Sequence, residues 1–259
     1  MACVAALLLL GCGAERGRPT TGPQTADDVL SAALGRTLPK TLSGTARMEA
    51  YVDGKARKAD LLVMIERPDR AQLQAMTPTM EMVAVLATDG QRFTSFERGG
   101  QQCSTGRACA RNMARLVPIA MPPTDLVSAM LGRPPMLEGA TRSLRWDSER
   151  KAWKVTLVRA PWQQELWVRP PAMHILASVM SKDGKRFASV AYGDHGKLGP
   201  DGPPRKLRMR AAGDKIDVSI ELRDVDLNEP IEADAFTVPC PRGMPVIELP
   251  CETTAAGDG

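Results

Sequence analysis

The chain has 259 residues, with 34 Lys and Arg against 30 Asp and Glu and a formal net charge of +4. So small an excess, with both signs interspersed, excludes the electrostatic footprint of a nucleic-acid-binding protein and leaves only mild attraction to anionic headgroups. Aromatic residues make up 4% of the chain while Met is plentiful at 14, and soft unbranched side chains suit either a packed core or surfaces that accommodate varied apolar partners.

From Val4 to Leu10 every residue is Val, Ala or Leu. That run is far shorter than the ~20 residues needed to span a bilayer, and it reads as the apolar region of a signal peptide. No Lys or Arg precedes it, which departs from the usual pattern. Leu9-Leu10-Gly11-Cys12 follows and resembles the lipobox of bacterial lipoproteins. The resemblance makes residues 1–11 a cleaved signal peptide and Cys12 the lipid-attachment residue. Two or more acyl chains hold a protein on a bilayer where one does so only marginally. Residues 12–24, rich in Gly, Pro, Thr and Arg, then serve as lipidated terminus and flexible tether.

Thr25 is placed to cap a first helix, with Asp27 and Asp28 in its first turn, Val29, Leu30, Ala33 and Leu34 as its apolar stripe and Gly35 near its end. From Leu42 to Val52 the period changes to two, and Asp53-Gly54 turns the chain into a second alternating run, Arg57 to Glu66. The pair predicts a long hairpin. Further strands are readable at 70–76, 82–88, 91–96, 142–147, 153–159, 164–169, 174–181, 186–192, 205–210 and 216–225, with turns at Asp89-Gly90, Asp183-Gly184 and Gly213-Asp214. Between them Ala108 to Leu116 reads as helical, and a second helix capped by Thr124 closes at Gly132. The fold class is mainly β: a curved antiparallel sheet of about ten to twelve strands, an open half-barrel with a few short covering helices. One domain is expected over residues 25–230. Beyond Asn228-Glu229-Pro230 a proline-rich extension, residues 231–259, carries two cysteines and a disordered end.

With Cys3 cleaved off and Cys12 acylated, Cys103, Cys109, Cys240 and Cys251 remain. An even remainder in an oxidising compartment predicts two disulfides. Sequence neighbours suggest Cys103 with Cys109 and Cys240 with Cys251, although four cysteines permit three connectivities. No metal is expected, because the spacings are not Cys-x-x-Cys and only His174 and His195 could assist.

No catalytic residues are expected either. A Ser-His-Asp enzyme needs a nucleophile in a strained turn beside a histidine, whereas His174 begins an apolar strand and His195 lies in a polar loop. Asp224 and Asp226 share one strand face but read as a solvated strand end. Gly99-Gly100 has no phosphate-loop context, and Trp146, Trp153, Trp162 and Trp167 are too scattered for a sugar platform.

The order of segments is itself informative. Ser43-Gly44, Asp53-Gly54-Lys55, Thr77-Pro78, Asp89-Gly90-Gln91-Arg92-Phe93-Thr94, the helical Pro123-Thr124-Asp125-Leu126 through Leu131-Gly132-Arg133-Pro134, and Trp153-Lys154-Val155 together resemble the LolB family, in the same order from about residue 40 to 193. Each motif is weak and the collinear series carries the weight. The resemblance implies an open half-barrel enclosing an apolar cavity for acyl chains, lipoprotein or lipid cargo, a periplasmic LolA-like carrier as partner, a monomer, and no cofactor. It also implies a membrane-insertion loop after a proline, by position Pro78-Thr79-Met80-Glu81-Met82, with Met80 as the candidate beside Pro78, Thr79 and Met82. The disulfides, the 103–109 insert and the C-terminal extension mark a divergent relative.

The expected cavity lining is the apolar face of the first hairpin: Met48, Ala50, Val52, Leu61, Val63 and Ile65. Gly44, Ala46 and Ala50 alternate with larger residues and leave room. The same face read as an ordinary packed core belongs to the alternative function, a non-catalytic envelope scaffold or sensor with a filled barrel and a protein partner. Gly13 is not the Asp that retains lipoproteins at the inner membrane of enteric bacteria, so the expected location is the periplasmic side of the outer membrane.

Overall fold

In the computed structural model, which describes residues 17–77, 79, 81–115, 118–211 and 215–251, the capping logic of the first helix holds. Helix α1 (Ala26–Leu34) starts where the Thr25 hydroxyl accepts from the Asp28 amide, and it buries Ala26, Val29, Leu30 and Ala33. The signal run, Cys12, Pro78, Met80, the Gly213-Asp214 turn and residues 253–259 lie outside the described residues.

The twelve alternating segments all form strands. They are β1 (Thr41–Val52), β2 (Lys55–Glu66), β3 (Arg70–Met76), β4 (Met82–Thr88) and β5 (Arg92–Glu97), then, after an unanticipated β6 (Cys103–Arg107) and two helices, α2 (Ala110–Met113) and α3 (Pro123–Met130), the strands β7 (Thr141–Asp147), β8 (Ala152–Arg159), β9 (Trp162–Arg169), β10 (His174–Lys182), β11 (Lys185–Gly193), β12 (Lys206–Ala211) and β13 (Ile216–Leu227). A fourteenth, β14 (Val246–Leu249), follows a 3-10 turn at Ala233–Phe236. All fourteen belong to one sheet in the order β14-β6-β5-β4-β3-β2-β1-β13-β12-β11-β10-β9-β8-β7. The sheet is curved and open, with β14 and β7 as its free edges.

β1 therefore lies mid-sheet, between its hairpin partner β2 and β13. The β1–β13 register slips by a bulge between Gly44 and Ala46. Gly44 has φ +150°, and a Cβ on it would stand 2.1 Å from the Asp224 carbonyl oxygen. Only glycine permits that approach. The period-two pattern acts as anticipated: Ala46, Met48 and Ala50 on β1 and Leu61, Val63 and Ile65 on β2 are buried, and they join α1 and α3 in one continuous core.

Two local expectations are corrected. The segment expected to be helical from Ala108 is helical only over Ala110–Met113. Helix α3 is capped by Pro122 with Pro123 at its first position, and Thr124 sits inside it. Proline's fixed φ and missing N–H suit that first position, so it displaces the threonine from the capping role.

The disulfide pairing suggested by sequence proximity is also overturned. The bonds are Cys103–Cys240 and Cys109–Cys251, spanning 137 and 142 residues. Strand β14 lies parallel to β6, with Val246 opposite Cys103 and Leu249 opposite Gly106. Parallel pairing brings like ends together, so Cys103 at the start of β6 meets Cys240 ahead of β14, and Cys109 just past β6 meets Cys251 just past β14. An extended run of five residues also carries the chain about 15 Å, which separates Cys103 from Cys109. Either bond closing a loop this long contributes about 5 kcal/mol on the chain-entropy model, against roughly 2–3 for the short closures. The extension is thereby sewn to the sheet edge, and its Phe236 is buried at 1% exposure.

Candidate functional site

The first-hairpin residues sit in the core. Met48 and Ala50 are 5% exposed, Leu61 1%, and Val63 and Ile65 0%, while Val52 is half-buried. None of them lines the apolar pocket of the molecule. The alternation of small residues on β1 leaves no open cavity there: Ala46, Met48 and Ala50 are part of one continuous buried core that also holds residues of α1 and α3.

The apolar pocket lies instead over β9–β12. It measures about 230 Å³, with the Ile119–Pro122 segment and Ala129 of α3 on one side and Met180, Phe187, Val190 and Met209 of the sheet on the other. Its geometry depends on a bulge. Register between β10 and β11 shifts between Met180 and Ser181, so that Met180 opposes Ala188 and Ser181 opposes Arg186. Phe187 is the extra residue, and it turns toward the pocket rather than away. Its ring meets Trp162 edge-on, with centroids 5.1 Å apart, yet it remains 56% exposed.

Polar groups in this pocket are few and engaged. Gln164, 1% exposed, accepts from the Leu137 amide at 2.7 Å, donates to the Pro135 carbonyl at 2.7 Å and donates to the Ser178 hydroxyl at 2.8 Å. It thus clamps the 135–137 segment, one wall of the pocket, onto β9 and β10. Asp125, near the start of α3, lines the opposite wall, where burial raises its carboxyl above the ordinary value. Hydrocarbon walls with a few anchored polar groups are the features of a site suited to apolar ligands. A larger groove of about 600 Å³ lies beside β5, β6 and α2, but Glu97, Gln101, Gln102, Arg111 and Arg115 give it polar walls. The smaller pocket suits hydrocarbon better.

A second feature sits at the other end of α3. His174 and His195, far apart in sequence, stack with ring centroids 4.4 Å apart. Together with Arg36, Arg133 and Asp201 they line a small cleft at Leu131-Gly132. Arg133 donates to the carbonyls of Leu34 and Arg36, tying the end of α3 to the end of α1. Arg36 in turn donates to the Ala172 and Pro200 carbonyls at 2.5 and 3.4 Å. Burial, then the positive charges of Arg36 and Arg169, hold His174 below its ordinary pKa. Burial and the neighbouring His174, Arg169 and Arg36 push His195 down to about 4, Asp194 opposing. The two histidines flank the β10–β11 hairpin, whose register places the start of β10 opposite the residues that follow β11.

In the expected insertion loop, Thr79 is exposed, its hydroxyl 2.8 Å from that of Thr77. Met82 is half-buried against a small cluster of Val85, Phe96 and Cys103. Glu81 pairs with Arg98 at 2.7 Å.

No protein-family model matches the chain, and no curated protein matches it. Solved structures do. A LolA superfamily protein from Nitrosomonas europaea aligns over 83% of this chain and 99% of its own, with a TM-score of 0.55 at 14% identity. A DUF1329 family protein from Desulfovibrio piger aligns over 82% of this chain and 95% of its own, with a TM-score of 0.57 at 9% identity. What is shared is the architecture: the LolA/LolB-like open sheet with short helices, expected from the order of motifs, is the fold of this chain.

Proposed function

We propose that this chain is a non-catalytic lipoprotein of the cell envelope that binds acyl chains in the pocket between α3 and β10–β12 and takes part in lipoprotein or lipid transfer to the outer membrane. The observation that carries the reading is that pocket: hydrocarbon-walled, open, and set between α3 and β9–β12 of a LolA-like sheet. Burying hydrocarbon contributes about 0.8 kcal/mol per CH₂, so no cofactor is required and transfer runs down an affinity gradient between partners. In this reading Cys12 holds the protein to the periplasmic face of the outer membrane, and a LolA-like carrier hands over the cargo to a monomer.

The test is native mass spectrometry with lipid extraction on residues 17–251, which contain the whole sheet, its covering helices and both disulfides. Co-purifying acyl lipid, lost on Ala188→Trp, which fills the pocket, is the expected result. An apo mass with no uptake of a fluorescent fatty acid sinks the proposal.

One observation favours a second reading. The concave face of the first hairpin is filled, with Val63 and Ile65 fully buried. A scaffold or sensor with a protein partner needs no interior space. It is distinguished by the same fatty-acid titration, which then shows no saturable binding by the wild-type chain.

A further inference from the structure

The antiparallel order gathers the turns after β1, β3, β5, β8 and β10 at one end of the sheet. The β10–β11 hairpin is the most conspicuous of these. Asp183 and Gly184, with φ of +50° and +72°, form its two-residue turn, whose backbone twist matches that of the strands. Everything from Lys182 to Phe187 is exposed. Lys182 stands directly opposite Lys185, a cross-strand pairing of like charges that disfavours the hairpin itself. Arg186 follows, and Arg159 lies opposite Trp162 on the neighbouring strand pair. Lys182 also extends over the Trp162 ring, 5.5 Å from its centroid.

Cations thus ring two aromatic side chains, one of them a mostly exposed Phe187. At the same end, Tyr51 is 49% exposed, opposite Ala56 on β2 and Asp217 on β13, while Lys55 and Arg57 of the same hairpin stand on its other face. Exposed aromatic edges such as Phe187 and Trp162 with Lys and Arg around them match the boundary between headgroups and acyl chains: the rings enter the apolar side and the cations meet phosphate. An acidic protein surface would satisfy the lysines but leave Phe187 and Tyr51 without a hydrocarbon phase.

We propose that this end of the sheet, centred on Lys182, Lys185, Arg186, Phe187 and Trp162, is a docking surface for a membrane rich in anionic lipid. Phe187 and Met180 line the apolar pocket as well, so docking here sets the pocket mouth against the bilayer. The surface stands whether or not a chain occupies the pocket.

The test uses residues 17–251 and vesicles of phosphatidylcholine with or without 30–40% phosphatidylglycerol, a composition of about one anionic lipid in three. Sedimentation with anionic vesicles, weakened by salt and nearly absent with pure phosphatidylcholine, is expected. Removing a cation lowers binding about fivefold, so Lys182→Glu with Lys185→Glu lowers it at least about 25-fold, and Phe187→Ser lowers it about tenfold. Fatty-acid uptake by the double lysine variant stays at the wild-type level, which separates this surface from the pocket. Equal binding to both vesicle types, no binding to either, or unchanged binding by the lysine variant at an unchanged circular dichroism spectrum overturns the proposal. So does capture of an acidic protein without any vesicle binding.

Discussion

The imidazole of His174 stacks on that of His195, their centroids 4.4 Å apart, at the point where the ends of α1 and α3 are tied together. Both histidines titrate lower in the fold than in a free chain, His195 at about 4 against an ordinary 6.5. The unfolded chain therefore takes up protons as pH falls below about 6.5, while the folded one resists until about pH 4. Stability from the neutral pair is complete above pH 6.5 and is lost as pH falls between those values. After allowance for solvent screening this is on the order of 1 kcal/mol, or a Tm lower by about 2–4 °C at pH 5 than at pH 7.5. His195→Phe should flatten the dependence. Asp147 and Asp217, held below the ordinary carboxylate value chiefly by hydrogen bonds, contribute their own loss only at lower pH. A Tm identical at the two pH values refutes this account of the pair.

The disulfide pairing makes a direct prediction. Non-reducing peptide mapping should recover Cys103 linked to Cys240 and Cys109 linked to Cys251. Replacing both members of one bond by Ser should cost about 2–5 kcal/mol, read from denaturant midpoints. A peptide joining Cys103 to Cys109 contradicts the parallel β6–β14 register.

Gly44→Ala tests the mid-sheet junction. The added methyl cannot coexist with the Asp224 carbonyl at 2.1 Å, and the left-handed backbone is strained for any other residue. A loss of at least about 1–3 kcal/mol is expected. Near-wild-type stability means that β1 and β13 are not joined in this register.

Gln164→Leu removes three hydrogen bonds at once and leaves the Leu137 amide without its acceptor. The expected cost is about 1–3 kcal/mol, with faster hydrogen exchange at Leu137 and a looser pocket wall. Unchanged exchange at that amide dissociates Gln164 from the pocket's architecture.

Strands with an apolar face were legible because alternation is what a half-buried strand requires. β6, Cys-Ser-Thr-Gly-Arg, and β14, Val-Ile-Glu-Leu, are too short to carry such a pattern; β14 is the sheet edge and β6 lies between it and β5. Their parallel pairing, and with it the disulfide connectivity, is a relation between segments far apart in sequence. That the first-hairpin face is buried in the core, with the apolar pocket lying over β9–β12, was hidden for a related reason. Small residues on β1 leave room on one sheet face, but only the tertiary fold decides whether a helix takes it. Phe187 reaches the apolar pocket over β9–β12 only because the β10–β11 register shifts at Met180, and strand alternation alone does not announce a bulge. The fold class was readable in the motif order, and the β10–β11 hairpin register, with Ala177 opposite Ala191, brings His174 beside the residues that follow β11; what the sequence left unmarked was that His195 turns back to stack on it.

Because β1 pairs on one side with β13, Leu42 finds its second neighbour in Leu227, near the opposite end of the chain. The sheet is therefore completed last at its own centre. Sequence-distant pairing of this kind is slow to form, and an emerging chain can assemble only the meander from β1 to β6, and later that from β7 to β12, each with a raw edge. Until β13 arrives to splice the two, β1 remains an open template for a foreign strand. A chain ordered this way postpones its final structure until nearly all of it has been synthesised.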